Sequence, residues 1–195
     1  EEQIAPEKIV EAIAAHPECS RFAVVMAGDI GFYSGTKKLL PLLSGCDVTL
    51  EPGISSLVTL CAKLGTSYED VTPVSLHGRD WDIARELRRH KRIFALVGGE
   101  KGMENLCRTL VDAGLAEAKV SVGEALGYPE EKITVGTAQA LSEQTFHKLS
   151  VALIEWTGET VVTQGLPDET FQRGSHGNGT PVPMTKREIR AAALA

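Results

Sequence analysis

No stretch of the sequence approaches the roughly 20 consecutive apolar residues that a membrane-spanning helix needs. The N-terminal Glu1-Glu2-Gln3 opens no basic segment leading into an apolar signal core. No membrane association is expected, and the expected location is the cytoplasm. Lysine and arginine form no dense patch, and the net charge is −6. Such a chain lacks the means of neutralising phosphates on which nucleic-acid affinity rests, so a small-molecule partner is expected instead. Cys19, Cys46, Cys61 and Cys107 are well separated and form no Cys-x-x-Cys pair. That spacing indicates neither a zinc knuckle nor a disulfide framework; reduced thiols and no metal site are expected. No strand runs into Gly-x-Gly-x-x-Gly with an acidic residue about 20 positions on, which disfavours a nicotinamide dehydrogenase. A Gly-x-Ser-x-Gly or Cys/His constellation for nucleophilic catalysis is also lacking.

What is present is the composition of a globular protein with a substantial core, 43% hydrophobic and 24% charged over 195 residues. Apolar periodicity predicts an amphipathic helix over Ile4 to Ala15, with Pro6 in the first turn where its missing N–H costs nothing. A strand buried on both faces is expected over Arg21 to Ala27 and a further strand over Asp47 to Glu51, with helical spacing over Thr36 to Leu43 and Leu57 to Leu64. A polar stretch from Thr66 to Pro73 suggests a domain boundary. Beyond it come a strand over Val74 to Gly78, a charged helix over Asp80 to His90 and a strand over Arg92 to Val97. A helix over Glu104 to Ala113 follows, then strands over Lys119 to Glu124 and Lys132 to Val135. A short helix begins at Thr137, and a last strand covers Leu149 to Trp156. Thr157 to Pro183 is glycine-rich without apolar periodicity and reads as a linker. Thr185 with Glu188 three positions on makes a capping box that opens another helix.

Two corners concentrate the chemistry. In Val25-Met-Ala-Gly-Asp-Ile-Gly-Phe-Tyr-Ser-Gly35 an apolar run stops on Gly28-Asp29, where bare backbone admits a ligand. Asp29 there either accepts a hydrogen bond from a ligand or caps a helix. In Pro52-Gly53-Ile54-Ser55-Ser56 a tight turn places Ser55 or Ser56 to cap a helix, or to offer a hydroxyl to a ligand at the same sheet edge. A third candidate is the pair His77 and Arg79 at a strand end, suited to a polycarboxylate; alternatively His77 satisfies a buried carbonyl and Arg79 is solvated.

Gly28-Asp-Ile-Gly-Phe-Tyr-Ser34 resembles the Gly-Asp-Pro-Gly-Phe-Tyr-Ser segment of the tetrapyrrole methylases, in the precorrin-6Y C5,15-methyltransferase branch, with Ile30 where proline is usual. Pro52-Gly-Ile-Ser-Ser56, Ser75-Leu-His-Gly-Arg79, Gly123-Glu124 with Gly127-Tyr128-Pro129, and Gly136-Thr137-Ala138 are similar to the same branch and fall in its order. Gly98-Gly99-Glu100 departs from it. The resemblance implies an α/β, two-domain tetrapyrrole methylase fold, each domain a mixed sheet flanked by helices: residues 1–72, then 73–157, with 158–195 a linker and the start of a following domain. It also implies a glycine-rich first strand and loop ahead of the first helix, which this sequence begins after, as a fragment or processed product would.

By the same resemblance the activity is S-adenosylmethionine-dependent C5 methylation of a precorrin in cobalamin biosynthesis. The cofactor would lie against Ala27, Gly28, Asp29, Phe32, Ser55, Ser56, Val97 and Leu126, and the tetrapyrrole against His77 and Arg79. No residue is assigned as a catalytic base. Val182-Pro-Met-Thr-Lys-Arg-Glu-Ile-Arg190 is similar to the start of the C15-methylating decarboxylase, the implied partner domain, and a homodimer is expected. The competing reading is a non-catalytic nucleotide- or tetrapyrrole-binding module of a fused enzyme.

Overall fold

The computed structural model describes residues 5–76, 81–99, 101–158, 185, 186 and 189. The chain divides into two units, Glu1–Thr157 and Gly158–Ala195, and the sheet belongs to the first. The capping-box helix and most of the glycine-rich segment lie outside the described residues.

Five strands, β1 (Thr72–Ser75), β2 (Arg92–Val97), β3 (Lys119–Glu124), β4 (Lys132–Thr137) and β5 (Ser150–Glu155), form one mixed sheet in the order β1-β2-β5-β3-β4. β1 and β2 are parallel, while β5 runs antiparallel to both β2 and β3. The carboxyl ends of β1, β2 and β3 therefore share one edge with the start of β5.

The period-two pattern of β2 sorts its side chains onto two faces. Ile93, Ala95 and Val97 join Val120, Val122, Ala152 and Ile154 beneath α4 (Ile83–His90), α5 (Gly102–Asp112) and α6 (Ala138–Leu141). Phe94 and Leu153 turn the other way, against Leu57, Leu60 and Cys61 of α3 (Ser56–Leu64). Both faces are covered, so these strands read as continuous apolar runs. Removing each of the larger side chains here, the valines, leucines, isoleucines and Phe94, from water contributes about 1.5–3 kcal/mol.

Helix ends follow their sequence signals. Pro6 starts α1 (Pro6–Ala14), Asp82 caps α4 by accepting from Arg85 N at 2.9 Å, and Arg88, Arg89 and His90 sit in the last turn, where cations complement the helix dipole. The predicted helix over Thr36 to Leu43 is a single α-turn, α2 (Thr36–Leu39), continuing as 3-10 turn over Leu40–Leu43. Pro41 lacks the N–H an α-helix would use there.

Two expected strands do not form. Residues 21–27 and 47–51 have no ladder partner among the described residues. Phe22, Val24 and Val25 are exposed rather than doubly buried, and Val48 and Leu50 are exposed too. A strand is stabilised by hydrogen bonds to a neighbour, and β-branched composition cannot supply one.

Candidate functional site

The first turn begins at Gly28, whose φ of +73° is a left-handed conformation that L side chains rarely adopt. The chain reverses there and presents Asp29. The Asp29 carboxylate accepts from Gly31 N at 2.8 Å and from Gly53 N at 3.1 Å. It therefore caps no helix; it ties the first turn to the second. The two turns touch so closely that a Cβ on Gly53 would fall 2.2 Å from the Gly28 carbonyl oxygen. Only glycine fits at that contact.

The turn is tied to the sheet by its aromatic pair. Phe32 packs against Phe94 of β2, with ring centroids 6.0 Å apart, and meets Tyr33 edge-to-face. Tyr33 takes a positive φ of 49° and donates its hydroxyl to the Pro73 carbonyl at 3.0 Å. In the second turn Ser55 is the cap of α3, accepting from Val58 N at 3.3 Å. Its hydroxyl proton remains available to a ligand.

The opposite wall comes from the sheet. Ala125 follows β3 with φ +44° and donates its N–H to the Leu149 carbonyl at 2.8 Å, so the chains leaving β3 and entering β5 hold each other in place. Backbone held outside its preferred region is a recurrent feature of ligand sites. Gly127 N donates to Glu131 at 2.8 Å, and Glu131 pairs with Lys63 of α3 at 2.6 Å. The Lys63 ammonium and the Gly127 N–H hold the Glu131 carboxyl below its usual range.

Between these walls lies a cleft of about 820 Å³ at the carboxyl edge of β2 and β3, the side of an open α/β sheet where ligands gather. Ala27, Gly28, Asp29, Phe32, Ser55, Ser56, Val97 and Leu126 all line it. The structure thus brings together every residue expected against the cofactor, from sequence-distant segments. His77 and Arg79 lie outside the described residues. The lining also includes Tyr33, Thr59, Gly98, Gly99, Tyr128, Lys148 and Ser150, which sequence reasoning did not assign to the site. The volume suits a nucleoside-sized ligand, and the mix of bare backbone, hydroxyls and apolar walls suits one that is part polar and part apolar. Among the described residues no group of His, Cys, Asp and Glu could hold a metal ion, and no helix is long and apolar enough to cross a membrane.

Residues 1–142 match the family of tetrapyrrole (corrin/porphyrin) methylases. The chain belongs to that family. This tetrapyrrole methylase is 28% identical over 192 residues to a precorrin-6Y C(5,15)-methyltransferase [decarboxylating] from a Sinorhizobium species, a match covering 95% of the chain but 44% of that relative. It is 29% identical over 110 residues to a cobalt-precorrin-7 C(5)-methyltransferase of Salmonella typhimurium, covering 56% of the chain and 54% of the relative. The chain thus spans about half the length of these curated relatives. Its fold is shared with a uroporphyrin III C-methyl transferase from Thermus thermophilus, solved with S-adenosyl homocysteine. The TM-score is 0.60 at 18% identity, covering 76% of this chain and 72% of that one.

Proposed function

We propose that this chain is the C5-methylating part of a precorrin methyltransferase of cobalamin biosynthesis, with S-adenosylmethionine as methyl donor. The observation that carries the reading is the cleft itself: two sequence-distant turns locked by Asp29 face the glycine-rich ends of β2 and β3 across a space of nucleoside size. The names of the Sinorhizobium and Salmonella relatives have C5 methylation in common, which supports C5 as the position modified.

Bound there, the donor supplies an electrophilic methyl group on a sulfonium, so no protein nucleophile is required. The work of the chain is orientation and exclusion of water. Backbone at Ala27 to Asp29 and the hydroxyls of Ser55 and Ser56 hold the polar part, while Phe32, Val97 and Leu126 exclude water from the reacting atoms. Alignment of two reactants in this way lowers a barrier by about 7–11 kcal/mol. His77 and Arg79 bind carboxylates of the tetrapyrrole in this reading. It further takes residues 1–72 and 73–157 as the two domains of the methylase, and 158–195 as a linker leading into a C15-methylating decarboxylase domain. The methylase acts in the cytoplasm as a homodimer.

Calorimetric titration of the purified chain with S-adenosylhomocysteine tests the reading. Saturable binding that weakens on Ser55→Trp, which fills the cleft, is expected. Absence of binding, or a ligand-bound structure with the nucleoside remote from Gly28 and Ser55, refutes it. Binding without methyl transfer to a precorrin would instead identify a non-catalytic binding module.

A further inference from the structure

We infer that Lys148 is a substrate-specificity residue, its ammonium group binding a carboxylate of the tetrapyrrole at the mouth of the cleft; this rests on the function proposed above. The cleft needs a cationic group if it admits a polycarboxylate, and Lys148 is the one cationic side chain in its described lining. Asp29, the one acidic side chain there, has its carboxylate engaged by two backbone N–H groups.

What distinguishes Lys148 from an ordinary surface lysine is how its backbone is held while its side chain is not. On one side, His147 N donates to Glu124 Oε1 at 2.8 Å, and Glu124 is buried at the end of β3. On the other, Leu149 accepts from Ala125 N at 2.8 Å and donates its own N–H to His147 Nδ1 at 3.1 Å. The Ser150 hydroxyl donates to the His147 carbonyl. These hydrogen bonds fix the residues flanking Lys148, yet the ammonium itself pairs with no carboxylate among the described residues. Period-two alternation along β3 sends Glu124 to the face of Val120 and Val122, away from the cleft, so its carboxylate does not compete for the lysine. A fixed backbone limits the conformations lost on pairing, and a charge-assisted hydrogen bond is stronger than one between neutral groups.

The test uses the full chain with uroporphyrin III as a polycarboxylate probe and its octamethyl ester as the uncharged counterpart, in the presence of S-adenosylhomocysteine, with binding read from porphyrin fluorescence. Lys148→Glu is expected to weaken uroporphyrin binding about tenfold or more. Lys148→Arg should restore most of it, and the ester should bind wild type and variant alike. Thermal melting of Lys148→Glu should match wild type because the side chain is exposed. Equal uroporphyrin affinity in wild type and Lys148→Glu, or no uroporphyrin binding by wild type, overturns the inference. An equal loss of S-adenosylhomocysteine affinity in Lys148→Glu overturns it too, by assigning the lysine to the cofactor's carboxylate. Failure of wild type to bind S-adenosylhomocysteine at all is a separate result that removes the proposed function beneath it.

Discussion

Gly53→Ala is the sharpest probe of how the cleft is built. The added methyl would lie 2.2 Å from the Gly28 carbonyl oxygen, 3.1 Å from Gly28 C and 3.4 Å from Asp29 Cα. These are backbone atoms of a neighbouring turn, so no rotamer change relieves the clash. The turns must part, and parting them stretches the 3.1 Å bond from Gly53 N to Asp29. Overpacking of this kind costs about 1–3 kcal/mol and the lost hydrogen bond about 0.5–1.5 kcal/mol. Reduced freedom of the unfolded chain returns about 0.4–1 kcal/mol. The net loss is about 0.5–4 kcal/mol, or about 1–16 °C in melting temperature for a unit of this size. Because Gly28, Asp29, Ile54 and Ser55 line the cleft, the same displacement should weaken S-adenosylhomocysteine about tenfold or more by calorimetry. Gly45→Ala is the control, since nothing lies within 4 Å of its Cβ; its affinity should stay at the wild-type value and its melting temperature should not fall, rising by about 1–4 °C at most. A Gly53→Ala protein with unchanged melting and unchanged affinity would refute the idea that contact between the turns shapes the cleft.

Two further outcomes are expected. The folded-state pKa of Glu131 is depressed from 4.5, so its contribution to stability is complete well above that value and is lost as pH falls below it through the folded pKa; urea midpoints should decline on acidification less steeply in Glu131→Gln than in wild type, and parallel curves would count against the Lys63–Glu131–Gly127 link. Burial pushes the Cys107 thiol up to about 11 and raises Cys61, whereas Cys19 and Cys46 are exposed; a chromogenic disulfide at mildly alkaline pH should modify Cys19 and Cys46 rapidly and the other pair only on denaturation, and fast reaction of all four would contradict the packing.

The sequence was most legible where local pattern and tertiary environment agree. Arg92–Val97 and Lys119–Glu124 are strands with the expected ends, because their residues are covered on both faces. The corners at Gly28-Asp29 and Pro52-Gly53 were visible as glycine-rich breaks, and both reach the cleft. Their connection was not: the partner of Asp29 lies 24 residues away, and no local rule couples them. The same blindness made Arg21 to Ala27 and Asp47 to Glu51 look like strands, since apolar β-branched composition reports a preference and not a neighbour. Lys148 escaped notice for the opposite reason. Nothing in its own neighbourhood marks it; its place depends on Ala125 and Glu124, more than 20 residues earlier.

The central position of β5 has a consequence for synthesis. Until Ser150–Glu155 leaves the ribosome, β1-β2 and β3-β4 are separate two-stranded ribbons, each with an open edge and neither independently stable. Among the described residues the last strand made is the one that joins them, and its terminal Glu155 reaches the first residues of both neighbours, Arg92 at 3.2 Å and Lys119 at 2.8 Å. The sheet can therefore be completed only after nearly all of the unit has been synthesised. From the completion of β2 until β5 emerges the nascent chain carries apolar strands with an open edge, a period in which chaperone capture competes with misassociation. A stop codon between β4, which ends at Thr137, and β5, which begins at Ser150, would leave two unjoined ribbons and no completed cleft.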